Sequence, residues 1–196
     1  MDEQVAQQVL CNNTDEDYPD VTVIIADATN LRRSIFLLTQ VIDLNMNVVL
    51  ALNMVDIATQ KGILVNVNLL SQELGIQVVA INARKRKGIE SLKQAIINTI
   101  DAKPKKPFLD VSKIFKVVIE KANLIRGVEN NYASFLSLCK QKLSGEVLNR
   151  CALNQLCKQY EIIPERAQAK ETVKRYKAID KVILSTVKKG APSGRY

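Results

Sequence analysis

Three short apolar runs rich in β-branched residues alternate with segments of helical periodicity in the first hundred residues. The runs are VTVIIA at 21–26, NVVLAL at 47–52 and IQVVAI at 76–81. Apolar runs of this length without polar alternation are typical of strands that are buried on both faces. Because a segment of helical spacing follows each run, the sequence predicts an α/β fold with a parallel sheet covered by helices.

The helices of this first half are predicted at 31–44, 65–75 and about 89–100. In the first of them, apolar residues recur at the spacing of one helical face, namely Leu31, Ile35, Leu38 and Ile42. The second is expected to stop at Gly75, because glycine readily adopts the left-handed conformation that ends many helices.

The segment DAKPKKPFLD at 101–110 interrupts this alternation with two prolines and three lysines. Beyond it the sequence predicts helices only, at 111–125, 132–143, 147–160 and 164–189. We therefore expect an α/β domain over residues 1–102, a small all-α helical domain over 103–190 and a disordered tail over 191–196.

The charge differs between the two halves. Residues 1–100 carry 8 basic and 11 acidic side chains, a balance of −3, whereas residues 101–196 carry 20 and 9, a balance of +11. A basic half indicates an anionic partner, either nucleic acid or the cytoplasmic face of a membrane, or else a solvated helical surface. We expect no nucleic-acid partner, because no aromatic stacking motif accompanies the basic run RKRK at 84–87.

Several kinds of site are excluded by composition. The chain has no histidine, which removes Ser-His-Asp and Cys-His catalysis, and its four cysteines form no CxxC pair. The longest uncharged stretch, 44–55, is too short for a membrane helix, and the N-terminus does not resemble a signal peptide. We therefore predict a soluble chain that has neither a catalytic residue nor a metal ligand.

Polar residues follow the second and third predicted strands. Asn53 and Asp56 come after the second strand, and Asn82, Ala83 and Arg84 come after the third. Ligands of parallel α/β sheets bind at this end of the strands. A carboxylate such as Asp56 can accept from both N1–H and the N2 amine of guanine, a pair of donors that adenine lacks. The alternative is that Asn53 and Asp56 only form turns and cap the next helix.

The stretch from DATN at 27–30 through LALNMVD at 50–56 to INAR at 81–84 resembles the cytoplasmic GTPase region of the bacterial ferrous iron transporter FeoB. RYKAID at 175–180 resembles the segment that closes the helical domain of that family. The resemblance implies an incomplete Ras-like P-loop GTPase sheet followed by a small helical domain. It also implies a cytoplasmic location at the inner face of the bacterial inner membrane, next to the transporter's membrane domain.

The resemblance, carried over residue by residue, implies that the two loops bind guanine. It implies that Asn53 joins the loops and that the backbone N–H of Ala83 donates to guanine O6. Met54 stands where many small GTPases have lysine, as is common in the FeoB family, and Asn82 stands where serine is usual. The six predicted guanine-binding residues are Asn53, Met54, Asp56, Asn82, Ala83 and Arg84.

The phosphate half of a GTPase site is absent from this sequence. No two of the seven glycines are five residues apart, and neither GK[ST] nor DxxG occurs. The sequence therefore predicts weak or absent binding of GTP and GDP, no GTP hydrolysis by this chain itself, and Mg²⁺ only in the intact family domain. Whether the chain functions as an enzyme is left open, and the alternative is a non-catalytic interaction or scaffold module. The missing first strands would also leave an exposed edge strand that favours self-association.

Overall fold

The computed structural model describes residues 18–102, 106–127, 129–139 and 147–191. Its internal contacts divide the chain into two units. A sheet unit contains Asp20–Ile42, Met46–Phe108 and the residues from Tyr176 onward, and a helical unit contains Asp43–Asn45 and Leu109–Arg175. The predicted division at 102/103 and 190/191 remains a prediction, and residues 192–196 of the predicted tail lie outside the described residues.

The sheet unit contains five described strands, of which three form a parallel sheet. The strands are β1 (Thr22–Asp27), β2 (Val48–Asn53), β3 (Ile63–Val65), β4 (Gln77–Ala80) and β5 (Val187–Lys189). The parallel sheet has the order β1-β2-β4, with Ala26 opposite Leu52 and Leu52 opposite Ala80. The central strand β2 is buried from Val48 to Leu52. Its continuous apolar sequence reflects burial on both faces, as predicted. The same prediction is wrong for the other two strands of this sheet, because Ile25 of β1 is exposed and so are Gln77 and Ala80 of β4.

Four helices of the sheet unit connect these strands. They are α1 (Leu31–Asp43), α2 (Val55–Gln60), α3 (Val67–Leu74) and α4 (Ile89–Ile100). The apolar face predicted for α1 is confirmed, since all four of its residues are buried. Asn66 begins α3 by accepting from the Leu69 N–H, and Gly75 ends it in the left-handed conformation, as predicted. The short helix α2 was not predicted.

β3 and β5 form a separate antiparallel pair, with Leu64 opposite Lys188. The Asn66 N–H donates to the Thr186 carbonyl at 2.8 Å, and the Gly190 N–H donates to the Gly62 carbonyl at 2.7 Å. The predicted helix at 164–189 is therefore wrong over its last three residues. Helical spacing alone could not reveal this, because the strand forms through pairing with residues far away in sequence.

The helical unit contains α5 (Ser112–Arg126), α6 (Asn131–Cys139), α7 (Val147–Gln159) and the first part of α8 (Pro164–Thr186). These helices were predicted, and the predicted extension of α6 to 143 lies outside the described residues. They enclose an apolar core that includes Ile119, Ala122, Phe135, Leu153 and Leu156. None of the described helices combines the length and apolar character that crossing a membrane requires.

A buried arginine lies at the edge of this core. The guanidinium of Arg175 lies 2.7 Å from the carboxylate of Asp43 and 2.6 Å from that of Glu171, and it sits over the ring of Tyr132. Burial by itself would lower the pKa of Arg175, but Asp43, Tyr132 and Glu171 outweigh it and hold the pKa above its ordinary value. The charge therefore stays in the interior only because two carboxylates surround it.

Replacing Asp43 with alanine should lower the free energy of unfolding by about 3–5 kcal/mol, because it leaves a buried guanidinium with one carboxylate. Urea denaturation followed by circular dichroism measures the loss. Arg32→Ala is the control, since it breaks an ion pair with Asp180 whose side chains are both largely exposed. The control should cause a far smaller loss, and equal losses in the two variants would contradict this role of Asp43.

Candidate functional site

The candidate site lies where β2 and β4 end, at one edge of the parallel sheet. Because these strands are neighbours, the loop after Asn53 and the loop after Ile81 lie side by side. The Ile81 N–H donates to the Leu52 carbonyl at 2.8 Å, which extends the pairing into the second loop. The structure therefore contains the adjacency on which the prediction of a shared site depends.

Asn53 joins the two loops through its side-chain oxygen. That oxygen accepts from the Met54 N–H at 2.9 Å and from the Ala83 N–H at 3.3 Å. The backbone carbonyl of Asn53 also accepts from the Ala28 N–H at 2.9 Å, beyond the end of β1. A single half-buried residue therefore connects the ends of all three parallel strands.

Met54 has a left-handed backbone, with φ 61° and ψ 27°. This conformation is uncommon for residues other than glycine, and it persists where neighbouring contacts enforce it. Here the Met54 N–H is held by Asn53, and the Met54 carbonyl accepts from the Ala58 N–H at 2.9 Å. The side chain is 41% exposed, so an apolar surface faces solvent next to the loops.

Asp56 lies in the first turn of α2, with its side chain 43% exposed. Its Oδ1 accepts from the Ile57 N–H at 3.0 Å. Its Oδ2 accepts from the side-chain amide of Asn82 at 2.8 Å, and the Lys85 ammonium lies 3.7 Å from the same oxygen. The carboxylate is therefore accessible, but the second loop already supplies it with a donor and a positive charge.

The second loop is a tight turn closed at its base. Asn82 and Lys87 exchange backbone hydrogen bonds of 3.0 and 3.1 Å, and the Asn82 side-chain oxygen accepts from the Lys85 N–H at 2.9 Å. Gly88 follows with φ +78°, and a Cβ there would lie 2.4 Å from the Ala80 carbonyl oxygen. Glycine is therefore required both for the backbone angle and for the space.

Five of the six predicted residues take part in two sets of hydrogen bonds at this end of the sheet. Asn53 contacts Met54 and Ala83, and Asn82 contacts Asp56. The predicted joining role of Asn53 agrees with this geometry, although the Ala83 N–H, predicted as a donor to guanine O6, donates to Asn53 instead. Arg84 lies in the same turn and is exposed.

Sequence reasoning missed the contributions of Lys85, Lys87 and Gly88. Lys85 follows Asn82 by three residues, the spacing at which an Asn side chain caps a turn, and a glycine directly after a charged run marks its end. Those two signals were present in the sequence and could have identified a closed turn rather than a solvated loop.

The residues present suit a guanine base and do not suit its phosphates or Mg²⁺. Asp56 offers the acceptors that a guanine edge needs. The 196 residues contain no glycine-rich phosphate loop and no DxxG. Among the residues that the structure describes, no group of three acidic, cysteine or histidine side chains is placed to hold a metal.

Comparison with known proteins relates the chain to one family. Residues 1–96 match the model of a family described as ferrous iron transport protein B, the FeoB N-terminal region. The Fe(2+) transporter FeoB of Campylobacter jejuni is 37% identical over 121 residues, which cover 62% of this chain and 18% of that protein. FeoB of Legionella pneumophila strain Paris is 34% identical over 138 residues, covering 69% of this chain and 18% of that protein.

Solved structures also relate the chain to FeoB. The cytosolic domain of FeoB from L. pneumophila matches with a TM-score of 0.77 at 27% identity, covering 96% of this chain and 74% of that one. The cytosolic domain of the T. maritima FeoB iron transporter, in a GMPPNP form, matches with a TM-score of 0.73 at 21% identity. The match covers 95% of this chain and 73% of that one. The second likeness, at that identity, supports the fold alone.

The parallel sheet with its helices defines a Ras-like G-domain fold, followed by helices, and the predicted fold class is confirmed. Residues 1–96 match the FeoB family model, so the resemblance found in the sequence is confirmed as well. The chain spans 18% of the length of the two transporters compared above.

Gly88→Ala should destabilise the sheet unit more than Gly75→Ala does. Both glycines have positive φ, +78° and +64°, but a Cβ at Gly75 meets nothing within 4 Å whereas one at Gly88 meets the Ala80 carbonyl. The shared backbone penalty is about 1–2 kcal/mol, and the clash at Gly88 adds to it. Urea denaturation measures the difference, and equal losses would contradict the close approach at Gly88.

Proposed function

We propose that this chain contains the guanine-recognition half of the cytoplasmic GTP-binding region of a ferrous iron transporter. The observation that carries the proposal is the position of Asp56. Its carboxylate lies at the edge of a Ras-like sheet, 2.8 Å from a side chain of the neighbouring loop. The six predicted residues, Asn53, Met54, Asp56, Asn82, Ala83 and Arg84, are proposed to surround the base.

Recognition would depend on the hydrogen-bond pattern of the base edge. Asp56 would accept from N1–H and the N2 amine of guanine, and the Ala83 N–H would turn from Asn53 toward O6. The existing bond from Ala83 to Asn53 is long, at 3.3 Å, which makes this exchange inexpensive. Met54 would add apolar contact. Discrimination against adenine by such paired contacts is about 1–3 kcal/mol.

These 196 residues would make few contacts with the phosphates of a bound nucleotide. Phosphoryl transfer depends on a phosphate loop and on magnesium, and neither motif is in the sequence given. We therefore propose that this stretch of chain by itself binds GTP or GDP weakly and does not hydrolyse GTP. We assign no reaction step that uses Mg²⁺ to this stretch of chain.

In the whole transporter, this region would regulate the passage of ferrous iron through a membrane domain of the same protein. The relatives are named Fe(2+) transporters, and the T. maritima cytosolic domain was solved in apo, GDP and GMPPNP forms. The +11 balance of residues 101–196 suits a location near anionic lipid at the cytoplasmic face of the membrane.

A second function, as an interaction module, is favoured by the exposed side of β1. Among the described strands, β1 pairs only with β2, and Ile25 on it is 68% exposed. An open strand edge with an exposed β-branched residue is a template for strand addition by another chain. The partner could be a second copy of this chain or a segment that completes the sheet.

Calorimetric titration with GDP tests the base site. The unmodified chain should bind GDP more tightly than ADP, because only guanine presents two donors to Asp56. Asp56→Asn should weaken GDP binding by about tenfold or more and improve binding of xanthosine diphosphate, whose O2 carbonyl can accept from the new amide. Asp101→Asn, an exposed carboxylate beyond α4, is the matched control. Equal binding of GDP by the Asp56 variant and the control would contradict the proposal.

Light scattering over a range of concentrations tests association through β1. The unmodified chain should self-associate as concentration rises, and Ile25→Lys should suppress this by placing a charge on the open edge strand. Leu184→Lys is the control, because Leu184 is 80% exposed but belongs to α8 and not to a strand. A chain that stays monomeric at high concentration would contradict association through β1. Equal suppression of association by both variants would contradict it as well.

A further inference from the structure

The last turns of α8 and the strand β5 that follows them expose four lysines without an acidic partner. They are Lys177, Lys181, Lys188 and Lys189, and all belong to the sheet unit. None of them forms an ion pair with a residue that the structure describes. The one acidic residue between 176 and 191 is Asp180, and both of its carboxylate oxygens accept from the guanidinium of Arg32, at 2.7 and 3.0 Å. This stretch therefore presents four positive charges that no ion pair neutralises.

Two large apolar side chains are exposed among these lysines. Leu184 is 80% exposed, and its spacing from Lys177 and Lys181 places all three residues on one face of α8. Leu64 of β3 is 46% exposed and lies directly opposite Lys188 in the antiparallel pair, so both side chains belong to one face of that pair. Because β5 begins at the residue after the end of α8, these positions follow one another along the chain. We refer to the four lysines with Leu64 and Leu184 as the lysine–leucine surface.

This arrangement lowers the stability of the chain by itself. Lys177 and Lys181 have the i, i+4 spacing at which like charges on a helix repel each other. An exposed leucine leaves apolar surface in water. By contrast, the exposed ammonium of Lys93 on α4 lies 2.9 Å from the carboxylate of Glu90, one turn earlier. A partner that combines negative charge with an apolar interior would relieve both costs at the lysine–leucine surface.

We propose that the lysine–leucine surface binds the anionic headgroups of a lipid bilayer, with Leu64 and Leu184 entering the boundary between headgroups and acyl chains. Lysines next to a bilayer are attracted by its negative surface potential, and apolar side chains on the same surface add buried area. The inference rests on the proposed location at the cytoplasmic face of a membrane and deepens it, because it names the residues that make the contact. It is independent of the guanine site.

Lipid accounts for this surface better than nucleic acid does, although both are polyanions. Proteins that bind single strands without sequence preference stack the bases on aromatic rings. No aromatic residue occurs between 177 and 191, and the ring of Tyr176 is already stacked on Phe36, with the guanidinium of Arg32 over it. RNA would also leave Leu184 in water, whereas a bilayer would cover it.

Co-sedimentation with vesicles of phosphatidylcholine and phosphatidylglycerol tests the surface, with vesicles of phosphatidylcholine alone as the neutral comparison. The unmodified chain should bind the anionic vesicles only, and binding should be lost when the salt concentration rises from about 0.1 M to about 1 M. Lys177→Gln combined with Lys181→Gln should lower the partition coefficient by about thirtyfold, since each lysine near an anionic bilayer contributes about fivefold. Leu184→Gln, which keeps the charge, should lower it by about fivefold.

Lys113→Gln combined with Lys116→Gln is the matched control. These two lysines are exposed on α5 in the helical unit, and their replacement changes the net charge by the same amount. The control should change the partition coefficient by less than about twofold, because attraction to the bilayer falls off within a Debye length. Circular dichroism checks that each variant is folded. Equal losses in the two double variants would show that binding depends on net charge alone and would overturn the inference.

The outcomes separate this inference from the guanine site. Equal binding to neutral and anionic vesicles, or no binding to either, would overturn the inference whatever the GDP titration shows. RNA binding in a gel shift that the lysine variant weakens and Leu184→Gln does not, without binding to vesicles, would assign the surface to nucleic acid instead. Binding to anionic vesicles that both the lysine variant and Leu184→Gln weaken would support the inference even if the chain does not bind GDP.

Discussion

The arrangement of the candidate site depends on the carboxamide of Asn53. Its oxygen accepts from Met54 on one loop and from Ala83 on the other, at 2.9 and 3.3 Å, and this is possible because β2 lies between β1 and β4 in the sheet. A second side-chain connection between the loops runs through Asp56, whose Oδ2 accepts from Asn82 and lies 3.7 Å from the Lys85 ammonium. The two loops are therefore joined both through Asn53 and through Asp56. Met54, whose N–H is held by Asn53, has a left-handed backbone.

The site separates two tasks that a complete nucleotide site combines. Selecting a base requires a few polar groups at fixed positions, and Asp56 with its neighbours can supply them. Holding phosphates requires a cradle of backbone N–H groups and a metal, for which this sequence has no motif. Under the proposed function, nucleotide affinity would come mainly from the base, and changes in the contacts of Asp56 would have a large relative effect. The Asn82 amide, 2.8 Å from Asp56 Oδ2, is one of these contacts.

Much of the fold was predictable because local sequence and tertiary environment agree. The run at 47–52 is apolar without alternation because both faces of β2 are covered, and α1 buries the face that its spacing indicates. The run at 76–81 has the same apolar character, but Gln77 and Ala80 of β4 are exposed. The β3–β5 pair was not predictable, since each strand has three residues and forms only against the other. At the site, residue types and spacing indicated Asn53 and Asp56. The closed turn at 82–87 was signalled by the spacing of Asn82 and Lys85 and by Gly88, but the hydrogen bond from Asn82 to Asp56 joins residues 26 apart, and local spacing does not indicate it.

The central claim is that Asp56 and the adjoining loops recognise the guanine base without help from phosphate contacts. The most direct measurement is a titration of the isotopically labelled chain with guanosine, followed through backbone and Asn side-chain amide signals, with adenosine as the comparison. We expect guanosine to shift the signals of Met54, Asp56, Asn82 and Ala83, and adenosine to leave them unchanged. Equal shifts with both nucleosides, or guanosine shifts confined to residues outside the two loops, would contradict it.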